Sequence, residues 1–163
     1  MKRKLCVMSA IVAAALFVTD ASAQTVLFKS DTVSTCYRIP ALAKAKDGSI
    51  FAFTDFRPCR TDVGGGVIDV VAKRSTDNGR TWSKEQTVIK GGGDNIPFDV
   101  AHGDAAVVTD CKTGEMLMMC ASGNVWYWQS TLKNPNRVGR YYSKDGFNWK
   151  GEEITDQIYK LMN

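Results

Sequence analysis

A turn of eight residues occurs twice in this chain. Ser75-Thr76-Asp77-Asn78-Gly79-Arg80-Thr81-Trp82 returns as Ser143-Lys144-Asp145-Gly146-Phe147-Asn148-Trp149, one residue shorter, at an offset of 68 for both the Ser and the Asp. Upstream, the turn Asp47-Gly48 returns as Thr113-Gly114 at an offset of 66. Two independent landmarks at nearly one period mark a repeating supersecondary unit of three or four strands. In each turn the Asp is placed to accept hydrogen bonds from backbone N–H groups, the Gly supplies positive φ, and the Trp packs beneath as an apolar peg. Ser75, Asp77, Gly79 and Trp82, with Ser143, Asp145 and Trp149, therefore read as structural residues.

Strand-like runs fill the repeat: Val26 to Lys29, Tyr37 to Ala45, Ile50 to Phe56, Val67 to Arg74, Gln86 to Lys90, Asp104 to Thr109, Glu115 to Ala121 and Val138 to Ser143. They are rich in Val, Ile, Tyr and Phe and are separated by Gly, Asp and Asn turns, the pattern of an all-β protein. Only Ile154 to Met162 reads as helical. Units of four antiparallel strands suggest blades of a β-propeller, which closes with roughly four to eight of them. Two units are expected here, so the chain reads as the first third of something longer.

Composition narrows the function. With 44% hydrophobic and 23% charged residues, and four Pro against fourteen Gly, the chain is neither disordered nor collagen-like. The balance of 21 Lys and Arg against 17 Asp and Glu drops to 18 against 16 without residues 1–23, which argues against nucleic-acid binding. Those residues have a basic start, an uncharged stretch from Leu5 to Thr19, and Ala21-Ser22-Ala23, the pattern of a secretory signal peptide cleaved before Gln24. No run of eighteen apolar residues is present, so no membrane span is expected, and the product is read as secreted or periplasmic. Cys36, Cys59, Cys111 and Cys120 would then sit in an oxidising compartment, with three pairings open.

The Asp47-Gly48 turn reads as a two-residue hairpin loop in which Lys46 pairs with Ser49. In that register Arg38 faces Arg57 and Cys36 faces Cys59. Facing cations repel unless something neutralises them. A bound anion, a carboxylate above all, would suit their planar guanidinium forks; so would solvent, or pairing with Asp55 or Asp62. Cys36 and Cys59 form either a cross-strand disulfide or two buried thiols. A bulge near Pro40 or Pro58 would break this register.

Asp62 lies in a loop leading to Gly64-Gly65-Gly66. A loop acid on a rigid scaffold is either a proton donor or a solvated carboxylate. The glycine run lacks the Lys-Ser/Thr of a phosphate-binding loop. Met116, Met118, Met119 and Cys120 read as core, and His102 with the scattered cysteines makes no metal-ligand set. Trp126, Tyr127 and Trp128 are either a sugar-stacking cluster or core.

With these residues in place a family resemblance emerges. Tyr37-Arg38-Ile39-Pro40 resembles the Phe/Tyr-Arg-Ile-Pro motif of the exo-α-sialidases (neuraminidases), and the two Ser-x-Asp turns resemble their Asp-boxes, or BNR repeats. The order of arginine motif, second arginine, loop aspartate and two Asp-boxes is similar to that of secreted bacterial sialidases. The resemblance implies a six-bladed propeller, of which residues 24–163 would form about the first two blades. It implies a glycoside hydrolase that releases terminal sialic acid, with retention, from sialylated glycoproteins, glycolipids or oligosaccharides, and without a cofactor or metal. Arg38 matches the first arginine of the triad that clamps the sialic-acid carboxylate, and Arg57 matches a further pocket arginine near the 4-hydroxyl. Asp62 matches the acid/base aspartate, Asp104 an aspartate holding the same hydroxyl, and Trp128, or its neighbour Tyr127, a residue lining the pocket or the aglycone side. Sialidases use a tyrosine nucleophile paired with a glutamate; Tyr141, Tyr142 and Tyr159 do not match its context, so the chain alone is expected to be incomplete and inactive. The alternative reading is a non-catalytic sialoglycan-binding propeller fragment.

Overall fold

The structure is a computed structural model that describes residues 24–162. The expected signal peptide, 1–23, lies outside the described residues. The protein is all-β, with two four-stranded antiparallel sheets in which each strand pairs with the next in sequence. The first holds β1 (Thr35–Lys44), β2 (Ile50–Pro58), β3 (Asp69–Ser75) and β4 (Gln86–Ile89); the second holds β5 (His102–Thr109), β6 (Met116–Ser122), β7 (Arg137–Ser143) and β8 (Lys150–Glu153). A short helix, α1 (Thr155–Leu161), follows.

Alternation along the strands builds the main core between the sheets, with a smaller cluster of Val63, Ile68 and Ala101 beside it. Met116, Met118 and Cys120 point inward from β6 and meet Phe51, Phe53, Val70 and Ala72 of the first sheet. Burying apolar side chains of this size favours folding by about 1.5–3 kcal/mol each. Phe51 and Phe53 stack 5.9 Å apart, and Phe147 and Trp149 from the second repeated turn meet them edge-on at 5.2 and 5.8 Å.

The two repeated turns are built alike. Ser75 Oγ accepts the Gly79 N–H (2.8 Å), Asp77 accepts the Thr81 N–H (2.8 Å), and the Trp82 indole donates to the Gly79 carbonyl (3.0 Å). In the second, Ser143 Oγ accepts the Gly146 N–H (2.9 Å), Asp145 accepts the Phe147 and Asn148 N–H groups, and Trp149 donates to the Gly146 carbonyl (2.9 Å). Gly79 and Gly146 take φ of 84° and 78°, the left-handed region that glycine enters without steric cost.

Two sequence expectations are corrected, and the structure adds one strand that the sequence does not announce. The β1–β2 loop has three residues rather than two, because Ala45, not Lys46, bonds Ser49 (2.8 Å) and Gly48 closes back on Ala45. A bulge between Arg38 and Ala41 then shifts the ladder again. Arg38 therefore pairs across from Asp55, and Arg57 across from Cys36. Val26 to Lys29 is not a strand: the segment is held by side chains, with Lys73 donating to the Leu27 carbonyl and its ammonium 4.9 Å from the Phe28 ring centroid. Lys150–Glu153 is a strand with no β-forming residue in it. Pairing with β7 imposes it, reinforced by Arg140–Glu152 (2.5 Å) and Arg137–Glu153 (3.2 Å) ion pairs.

Candidate functional site

The changed register still brings the arginines together. Asp55 and Arg57 are two apart on β2 and so share a face of the sheet, and Arg38 lies across from Asp55, diagonal to Arg57. Cys36 and Cys59 form a disulfide with Cα atoms 5.0 Å apart, tying the start of β1 to the loop that carries Asp62. That loop is packed closely elsewhere too: a Cβ on Gly64 or Gly65 would collide with the backbone or ring of Trp126.

The first strands of both sheets, β1 and β5, bulge at equivalent places. Ile39 on β1 and Asp104 on β5 both take φ of 53°. A β-branched residue there is a true outlier, and such strain is held only where the surroundings fix it. The bulges set the directions of Arg38, immediately before Ile39, and of Asp104 itself.

Arg57 is the hub. Its side chain has no solvent exposure, and its guanidinium meets three carboxylates: Asp55, fully buried; Asp62 at 2.6 Å; and Asp104 at 3.5 Å. Arg38 reaches Asp62 from the other side at 3.7 Å, so one carboxylate bridges both arginines. Arg38 and Asp62 are 49% and 38% exposed, which makes them the open edge of a site whose base is Arg57 and Asp55.

The environment separates the acids. Burial pushes the Asp55 carboxyl up to about 6, against the opposing pull of the Asp104 amide and Arg57. Burial also pushes Asp62 upward, but the Val63 N–H, the Arg57 hydrogen bond and the charges of Arg57 and Arg38 outweigh it and hold that carboxyl below its ordinary value. Asp62 is thus an anion between two cations, a place another carboxylate could share or take.

Trp126 and Trp128 stack at 4.6 Å, and Tyr127 meets Trp128 edge-on at 5.1 Å. Trp126 packs against the Asp62 loop, whereas Tyr127 (75%) and Trp128 (60%) are exposed beyond it. The sequence reading weighted Trp128; the ring touching the acid loop is that of Trp126. Tyr141 is buried, its hydroxyl 3.0 Å from His102 Nδ1, and burial pushes its hydroxyl pKa far up. A cavity of about 440 Å³ among Lys46, Arg74, Lys144 and Phe51 lies at the hairpin end and is not lined by Arg38 or Arg57, and the carboxylates there, Asp47 and Asp145, are engaged in their own turns. Among the described residues no cluster of His, Cys, Asp and Glu is arranged to hold a metal, and no helix is long and apolar enough to cross a membrane.

Asp55 is the residue whose place in the site sequence reasoning underrated. The signal was the Asp-x-Arg spacing within a strand, which puts both side chains on one face.

No family model matches the sequence. The chain is 31% identical over 165 residues to a sialidase of Paraclostridium sordellii, an alignment covering 97% of this chain and 39% of that protein. It is 29% identical over 147 residues to a sialidase of Clostridium perfringens, covering 85% of this chain and 37% of that one. The chain thus spans about two fifths of the length of these relatives. Among solved structures it is similar to the Hadza microbial sialidase Hz136, with a TM-score of 0.61 and 29% identity over 74% of this chain and 26% of the other. These sialidase relatives, modest in identity, and the sialidase structural neighbour together support the sialidase family for this chain.

Proposed function

We propose that the protein is the first part of an exported exo-α-sialidase, and that Arg38, Arg57, Asp62 and Asp104 form one side of its sugar-acid site. The observation that carries this reading is the Asp62 carboxylate bridging a buried and an exposed arginine at a solvent-open edge. The exposed fork of Arg38 suits a substrate carboxylate through paired charge-assisted hydrogen bonds. A carboxylate bound there would neutralise Arg38 and exclude water, and both effects raise the Asp62 pKa. Substrate would in this way convert Asp62 from anion to the proton donor that a departing alkoxide needs. The two repeated turns serve as Asp-boxes, each four-stranded sheet as one blade of a six-bladed propeller, and residues 1–23 as the export signal. Retention of configuration would need a tyrosine nucleophile, which no described tyrosine fits.

The test is release of the fluorophore from a fluorogenic sialoside by the longer sialidase of which this chain is proposed to be the first part. Activity abolished, by about a hundredfold or more, in Asp62→Asn is the outcome expected of an acid/base catalyst. The non-catalytic glycan-binding reading is favoured by one observation, the low Asp62 pKa of the free site. It predicts sialic-acid binding that Arg38→Ala removes and Asp62→Ala leaves intact.

A further inference from the structure

We infer that Asp55 is the positioning residue of this site: from beneath, it holds one edge of Arg57 and the backbone amide of Asp104, and so fixes the directions in which both face a bound sugar acid. The inference rests on the sialidase reading only for the identity of that ligand.

Asp55 has no solvent exposure and cannot touch a ligand itself. Its carboxylate meets the Nη2 edge of Arg57, which leaves the Nη1 edge for Asp62. It also accepts the Asp104 N–H, at 3.2 Å to Oδ1 and 3.1 Å to Oδ2, across the gap between the sheets. Two features of β5 exist for this contact. A Cβ on Gly103 would stand 2.8 Å from Asp55 Oδ2, so glycine leaves the carboxylate its space. The left-handed backbone at Asp104 turns its amide inward while its side chain, 48% exposed, stays 3.5 Å from Arg57. A buried carboxylate is costly unless it is paired and hydrogen-bonded, and this one is both.

The charged and titratable groups around Asp55 are Arg57 on its own strand, Arg38 across the ladder on β1, Asp104 on β5 and Cys120 on β6, with Asp62 beyond Arg57. While Asp55 is ionised it offsets one arginine charge, and when it takes up a proton Asp62 feels Arg57 in full. Asp62 therefore reports on Asp55 through Arg57.

The experiment is a pH titration of the Asp62 carboxyl carbon by NMR on this chain, joined to N-acetylneuraminic acid binding at pH 7. The Asp62 resonance should move in two steps, its own below 3.8 and a smaller one near 6, and Asp55→Asn should abolish only the upper step. Gly103→Ala keeps every charge but disturbs the Asp104 amide contact; it should move the upper step to higher pH, and it carries the test if Asp55→Asn does not fold. Positioning predicts that Asp55→Asn weakens binding about tenfold. A purely electrostatic role predicts the opposite, since removing a negative charge favours an anion. A single-step Asp62 titration in the unmodified chain, or unchanged or tighter binding in Asp55→Asn, overturns the inference. If the unmodified chain, which carries one side of the site, binds no sugar acid, the two-step titration alone decides for or against Asp55.

Discussion

This protein buries two ionisable residues with opposite pH behaviour, His102 and Asp55. His102 bonds Ser122 and Tyr141 at 3.0 Å and lies 3.8 Å from Asp99, and burial lowers its pKa despite the charges of Asp99 and Asp69. The unfolded chain therefore takes up that proton first, and the stability His102 contributes is lost as pH falls below about 6.5. Asp55 is the reverse: its folded pKa of about 6 exceeds the ordinary 3.8 of an aspartate, so the folded state binds the proton first and gains stability as pH falls from 6 toward 4. Between pH 6 and 4.5 the two act in opposite directions. Thermal unfolding across that window should show a steeper loss of Tm on acidification in Asp55→Asn than in the unmodified protein. Equal slopes would mean that Asp55 does not titrate there. Arg57 and Asp62 stand out in the sequence because an arginine and a loop acid are conspicuous near a glycine run. Asp55 reads there only as one of two candidate ion-pair partners, since burial and the amide of a strand 49 residues away are not visible in the local sequence.

At the scale of elements, turn chemistry is the most legible feature and register the least. The repeated Ser-x-Asp turns are readable because the hydrogen bonds that make them are local, between residues two to four apart. The β1–β2 ladder is not, because one extra loop residue and one bulge each move it by one position. Lys150–Glu153 is invisible because its partner strand, not its composition, makes it extended. The two turns differ in surroundings, which separates backbone cost from packing cost. At Gly79 a Cβ meets only the Trp82 ring at 3.8 Å, whereas at Gly146 it stands 2.5 Å from the Phe51 ring. Gly79→Ala should thus cost about 1 kcal/mol, for the left-handed backbone alone. Gly146→Ala should cost about 1–3 kcal/mol more, because the core must give way. Urea unfolding of both variants measures the difference, and equal costs would mean that the second turn is not wedged against the first sheet.

At the scale of the whole molecule, the site straddles two sheets that share one core, so its integrity depends on whether the sheets unfold as one. Arg38, Asp55, Arg57 and Asp62 belong to the first sheet and its loop, while Asp104 belongs to the second. Phe53 is the best lever: it is fully buried, stacks on Phe51 and takes the edge of Trp149 from the other sheet. Phe53→Ala should cost about 3–5 kcal/mol, the usual range for removing a buried aromatic ring. If the sheets form one cooperative unit, amide protection at Val70–Ala72 and at Met118–Cys120 should fall together and by the same free energy, although only the first sheet carries the change. If protection falls in the first sheet alone, the interface is a docking contact. Each sheet would then be a unit in its own right, and Asp104 would reach Arg57 only when the two are docked. The first outcome is expected, because Phe51, Phe53, Met116 and Met118 have almost no surface left except against each other. A sheet that lost its neighbour would expose most of its apolar face at about 25 cal/mol per Å², more than a four-stranded meander can sustain by its ladder alone.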